Sequence, residues 1–218
     1  MLDRFTWFKQ AAYRWDGEGV TVYIDPWGVP EEAPEADAVF ITHAHDDHFR
    51  PDEIRRIQKS ETQIVAPHDI AAELTGNVQI VAPGDVVEAA GIKAQAVPAY
   101  NLVEERLDKH PKSKGWVGYV LQLGDATYYH AGDTDHLPEL EALDPQVAFV
   151  PIGGTYTMDA SEAAGFVRAM APGLAVPMHY GYVVGTTADA ERFREESDPV
   201  PVQILTPQEP FPPEPVDE

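Results

Sequence analysis

The chain of 218 residues contains no cysteine. Disulfides, thiolate nucleophiles and cysteine-ligated metals are therefore excluded, and any metal site has to use nitrogen and oxygen donors. Long apolar runs are also missing. None approaches the roughly 18 residues that a membrane span needs. The first residues, MLDRFTWFKQ, lack the basic-then-apolar pattern of a signal peptide. The expectation is a soluble, cytoplasmic protein with no membrane partner. Basic residues are scarce: 15 Lys and Arg stand against 37 Asp and Glu, for a formal charge of −22. Such a surface repels a phosphate backbone, so no nucleic-acid partner is expected.

What is present reads as one domain over residues 1–206. Short strand-like runs cover 4–8, 11–15 and 20–25, with a turn at Asp16-Gly17-Glu18-Gly19. An apolar run ends at Ile41. Pro51 with Asp52 and Glu53 predicts a helix over 51–59. A strand over 63–66 and a helical segment over 69–74 follow, then short strands to Val97. Residues 116–123 and 126–130 predict a hairpin turning at Gly124-Asp125. Residues 146–152 read as a buried strand. Asp159 and Glu162 have capping-box spacing and open a helix to about Ala171. A strand over 174–178, a helix over 187–196 and a strand over 202–205 complete the pattern. Strands alternating with helices favour an α/β sandwich with sheets inside and helices outside. The last twelve residues, 207–218, hold five prolines and four acids and predict a loosely attached tail.

The segment THAHDDH, residues 42–48, concentrates three of the eight histidines at the end of the apolar run. His43 and His45 are two apart, so on a strand they face one side. Asp47 and His48 sit where the chain turns and can reach a second ion. The spacing suits two metal ions better than one. Buried imidazoles and carboxylates without partners would be costly there.

This motif resembles the signature of the metallo-β-lactamase superfamily. TVYIDPWG (21–28), YYHAGDTD (128–135) and VPMHYG (176–181) resemble three more of its segments. VPAYN (97–101), HPKSKGWVGYV (110–120) and PIGGTYTM (151–158) are similar to its group of lactamase-like metal-dependent hydrolases, which includes ascorbate-6-phosphate lactonase-like and phospholipase-D-like members. The resemblance implies a four-layer αββα sandwich. It also implies two divalent ions, zinc foremost, with manganese or iron as alternatives. His43, His45 and a third histidine would hold one ion, and Asp47, His48 and His179 the other. Asp133 would bridge them. The superfamily's histidine after the Pro-Ala segment is absent from Pro98-Ala99-Tyr100-Asn101. His110 is taken as the third ligand, with His130 as the competitor.

Such a pair of ions holds a hydroxide between them at roughly 3.5–4 Å separation. Asp47 and Asp133 would be the catalytic carboxylates, Asp47 also orienting the hydroxide. Two dications, two carboxylates and a hydroxide leave about +1, which attracts a small anionic substrate. Three of the six lysines, Lys109, Lys112 and Lys114, flank His110. Lys112, Thr155 and Tyr156 are the candidate substrate contacts. The expected activity is metal-dependent hydrolysis of an ester, lactone or phosphodiester bond. The alternatives within the superfamily are a nuclease and a non-hydrolytic di-iron redox protein. Members often associate, so the resemblance also allows a homo-oligomer, although no segment specifies an interface.

Overall fold

Val22 and Ile24 point one way from their strand and Tyr23 points the other, and all three are buried. A strand covered on both faces needs a layer on each side. The computed structural model, which describes residues 1–213, supplies both layers. One sheet contains β1 (Phe5–Trp7), β2 (Tyr13–Gly17), β3 (Val20–Ile24), β4 (Ala36–Phe40), β5 (Gln58–Pro67) and β6 (Asn77–Val81), side by side in chain order. The first three strands run antiparallel, and β3 to β6 run parallel. The second sheet contains β7 (Val86–Ala89), β8 (Ile92–Pro98), β9 (Val117–Leu123), β10 (Ala126–His130), β11 (Val147–Pro151) and β12 (Leu174–Met178). Here β7 to β10 are antiparallel, and β10 to β12 are parallel.

The inner faces meet in one core. Phe40 of β4 lies 5.3 Å from Tyr119 of β9, ring centre to ring centre. Outside the first sheet, Tyr23, Val39 and Ile41 pack on Ile54 and Ile57 of the helix α1 (Pro51–Ile57). Outside the second, Tyr129 meets Phe166 of α2 (Ala160–Met170). The helix α3 (Thr187–Glu196) buries Ala190 and Phe193 against the same core. The layers are helix, sheet, sheet, helices, an αββα sandwich. No helix among the described residues is long and apolar enough to cross a membrane.

Several predicted boundaries differ from the observed ones. The helix predicted over 51–59 ends at Ile57, and Gln58 and Lys59 instead begin β5. There the Thr62 hydroxyl accepts the Lys59 amide and donates to the Ala36 carbonyl, an alternative to helical bonding. The helical segment over 69–74 shrinks to one 3₁₀ turn at Ala71–Glu73. The turn at residues 16–19 narrows to Glu18 and Gly19, both with positive φ as a tight hairpin requires. The final strand is a single bridge from Ala175 to Val202.

The tail departs from expectation as well. Phe211 packs on Trp7, Tyr180 and Tyr182. The Gln208 amide donates to the Trp7 carbonyl, and Lys9 pairs with Glu209 at 2.8 Å. Residues 207–213 are thus docked by one aromatic anchor, while 214–218 lie outside the described residues.

Candidate metal centre

The parallel strands β4 and β12 and the antiparallel-to-parallel junction at β10 end on the same edge of the sandwich. In open sheets this edge is where ligands bind. Thr42 to His48 leave β4 there, Asp133 follows β10 by three residues, and His179 follows β12 directly. The sheets are fastened to each other at this point. The Tyr119 hydroxyl donates to the Ile41 carbonyl at 2.8 Å, and the Val117 amide to the Thr42 carbonyl at 3.1 Å.

Local geometry explains several residue types. Gly132 has φ +61, and a side chain on it would meet the Thr42 side chain and the Val117 carbonyl at 3.0 Å. Only glycine fits both demands, and it delivers Asp133 to the edge. A Cβ on Gly153 would sit 2.5 Å from the His179 carbonyl. The first glycine of PIGGTYTM thus makes room for the His179 backbone. His179 and Asp25 carry φ of 59 and 47, the left-handed region that non-glycine residues rarely enter.

The imidazoles and carboxylates converge. His43 Nε2 faces His45 Nδ1 at 3.1 Å. Asp133 Oδ2 lies 3.2 Å from His110 Nε2 and 3.1 Å from His179 Nε2. Asp133 Oδ1 is 3.3 Å from His48 Nε2, and Asp47 Oδ2 is 3.3 Å from His179 Nε2. His43, His45, His110 and Asp133 form one group with all donor atoms within 4.8 Å, and Asp47, His48 and His179 another. Asp133 touches both groups.

Hydrogen bonds behind the cluster fix the rings. Asp25 Oδ1 accepts the Thr42 amide at 2.8 Å, and Oδ2 accepts the Thr42 hydroxyl and faces His48 Nδ1, both at 2.7 Å. With its proton given to Asp25, the Thr42 oxygen accepts from His43 Nδ1 at 2.9 Å. His110 Nδ1 donates to Asn101 Oδ1 at 2.8 Å. In each of these three rings Nδ1 is held from outside the cluster, which leaves Nε2 as the atom that can face a metal. A third grouping, Asp25 with His43 and His48, is also close. Its carboxylate is already committed to Thr42 and His48, so it braces rather than ligates.

The residues fit a metal. Nε2 of His48, His110 and His179 and Oδ1 of Asp133 are buried without any hydrogen-bond partner. Buried polar atoms normally have one. Donors on a tetrahedral zinc at about 2.0–2.1 Å stand about 3.3 Å from each other, close to the separations observed. Trp116, buried, lies against His43, His45 and His110 and shields them.

Charge is balanced inside the cluster. Burial works to raise Asp133, but His179 and His48 overcome it and hold the carboxyl well below its ordinary range. Burial and then His48 push His43 down, so it stays neutral. For Asp47, burial is overcome by His48 and His179, and its carboxyl is also lowered. For His179, burial is overcome by Asp133, which lifts the imidazole to about 9 in the metal-free chain.

Of the candidate residues, the structure brings together His43, His45, Asp47, His48, His110, Asp133 and His179. His130 stands apart in the core. Its Nε2 faces the Ala11 carbonyl at 2.8 Å and its Nδ1 accepts from the Gly132 amide, so it has no free donor atom. Tyr156 lines a pocket of ≈ 370 Å³ beside the cluster, together with Trp27, Arg50, Lys109 and Val183. Thr155 is exposed and does not line it. Lys112 is not brought to it either. Its ammonium sits 4.4 Å above the Tyr100 ring and bonds the Tyr100 hydroxyl at 3.0 Å. Lys109, three residues earlier, takes the pocket position. Trp27, Arg50 and Val183 carry no sequence signal, because only tertiary folding gathers them.

The sequence model of the β-lactamase superfamily domain matches residues 4–179. The chain belongs to that superfamily. Its metal-dependent hydrolase branch supplies close relatives. A UPF0173 metal-dependent hydrolase of Methanopyrus kandleri is 34% identical over 95% of this chain and 99% of its own length. The crystal structure of a proposed metal-dependent hydrolase from Parabacteroides distasonis superposes with a TM-score of 0.82 at 30% identity, covering 94% of this chain and 93% of that one. A metallo hydrolase from Ignicoccus hospitalis gives 0.74 at 25% identity, covering 94% and 95%. This superfamily member is thus a metal-dependent hydrolase with a cluster of histidine and aspartate ligands.

Proposed function

We propose that the chain cleaves an ester, lactone or phosphodiester bond in a small anionic substrate of the cytoplasm, using two divalent ions, zinc foremost. The observation that carries this is the set of inward donor atoms on His48, His110, His179 and Asp133, buried without partners next to a pocket. When bound, the ions supply Lewis acidity and ionise a water near neutral pH. His43, His45 and His110 would hold one, Asp47, His48 and His179 the other, with Asp133 shared. Asp47 belongs to the cluster and also lines the pocket. Its lowered carboxyl is ionised at neutral pH, so it can accept a hydrogen bond from the attacking water and aim it. Tyr156 offers a hydroxyl to the substrate, and Trp27 and Val183 keep bulk water away.

Elemental analysis of the wild type and of His110→Ala is the first test. Two metals per chain, a clear loss in the variant and metal-dependent turnover of p-nitrophenyl esters, lactones or bis-p-nitrophenyl phosphate are expected. A wild type that takes up no metal after reconstitution would sink the reading. RNA and single-stranded DNA in excess are expected to stay intact, given the charge of −22.

A further inference from the structure

We propose that Arg50 is the anchor for a carboxylate or phosphate group on the substrate, with Lys109 assisting and Trp27, Tyr156 and Val183 walling an apolar portion. This rests on the hydrolase reading and names the substrate class: an amphipathic anion. The sequence makes Arg50 unusual. With 37 acids and 15 bases, partners for a cation are plentiful. Yet Arg50 is the one half-buried basic side chain among the described residues with no ion pair, hydrogen bond or aromatic partner, and its Nε is buried and unsatisfied. A shielded guanidinium left open in so acidic a chain is a vacant binding group.

Its placement follows from Pro51. The residue before a proline is held extended, and Arg50 has φ −122 and ψ 92. It lies two residues after His48 and lines the same pocket as His45, Asp47, Asp133 and His179. Lys109 lines it too, next to His110 in the chain. Among the described residues, the one ion pair of Lys109 is with exposed Asp108 at 2.9 Å, a contact worth little against a ligand. The acids on this pocket are Asp46, Asp47 and Asp133, and none pairs with Arg50. Asp47 and Asp133 are committed to the cluster, which leaves exposed Asp46 as the remaining counter-charge. Guanidinium presents two parallel N–H groups that match a carboxylate or phosphate. An anionic group held there would set the scissile bond over the cluster.

The test is calorimetric titration of phenylphosphonate and of phenylacetate into the full chain, with metal content measured on each sample. Wild type, Arg50→Gln, Arg50→Lys and Lys109→Gln are compared, and melting curves report folding. At equal metal content, the glutamine variant at 50 is expected to weaken the preferred anion tenfold or more. Lysine at 50 should recover part of it, and the change at 109 should cost less. Tighter binding of phenylphosphonate assigns a phosphate, and tighter binding of phenylacetate a carboxylate. Equal affinity in wild type and Arg50→Gln would overturn the proposal, since the ions alone would then hold the anion. A metal-loaded wild type that binds neither probe would overturn it too, while leaving the hydrolase reading intact. A metal-free wild type that still binds an anion through Arg50 would support it, while sinking that reading.

Discussion

Asn101 Oδ1 accepts two hydrogen bonds from one residue, His110: from its backbone N–H at 3.0 Å and from its Nδ1 at 2.8 Å. The same amide donates through Nδ2 to Asp135 and to the Tyr156 carbonyl. Asn101 therefore ties ring tautomer, loop position and pocket wall together. Asn101→Ala is expected to weaken metal binding about 10–100-fold, as loss of a ligand's supporting partner does. Competition against a chromogenic chelator measures it. Unchanged affinity would mean that His110 orients itself.

Asp25 serves two rings at once, His48 directly and His43 through Thr42. Asp25→Ala leaves the Thr42 amide and His48 Nδ1 buried without acceptors, at a cost of about 1–3 kcal/mol each. Denaturant melts should register that loss, and metal content should fall with it. Asp25→Asn keeps the size but can no longer accept at both oxygens, so an intermediate result is expected.

Protons compete with metal at this cluster. Burial lowers His48 and His179, but Asp133 overcomes it. His48 is held well above the ordinary imidazole range, and His179 at about 9. Both therefore carry protons at neutral pH in the metal-free chain and must lose them to ligate. Metal affinity should rise with pH, about tenfold per unit for each displaced proton, and the part of that rise due to His179 should end above about 9. Titrations in buffers of differing ionisation enthalpy count the protons released. No release at pH 7 would contradict the expectation.

Gly132→Ala would put a Cβ on a left-handed residue, against the Thr42 side chain and the Val117 carbonyl. A loss of about 1–3 kcal/mol in stability is expected. Asp133 would be displaced, so metal content should drop further than the melting temperature alone suggests.

Phe211→Ala removes the anchor of the docked tail. The half-buried ring should cost about 1–2 kcal/mol. The loop at Gly181–Gly185, which carries the pocket residue Val183, should become a site of limited proteolysis.

Residue spacing makes the histidines at 43, 45 and 48 legible, and the resemblance to the superfamily adds Asp133, His179 and the need for a third histidine. The histidines at 43, 45 and 48 lie in one turn of chain, and Asp133 and His179 each follow a strand-like run. The choice between His110 and His130 cannot be made that way. It depends on which ring has a free nitrogen, and the Ala11 carbonyl and Gly132 amide decide that across the fold. The lysine cluster misleads for a related reason. Lys112 and Lys109 look equivalent in sequence, but a 3₁₀ turn at Lys112–Lys114 directs Lys112 onto Tyr100. The tail reads as loose because proline and acids dominate its composition, yet Phe211, the Gln208 amide and Glu209 fasten residues 207–213.

The candidate ligands leave the first sheet at residues 43–48 and the second at 133 and 179. An ion shared among them joins segments far apart along the chain, and does so in a protein that has no disulfide to offer. Unlike a disulfide, the ion binds the folded arrangement and leaves when the chain unfolds, so it stabilises by mass action. Resistance to heat in this protein is then a function of free metal concentration, and a chelator becomes a denaturant.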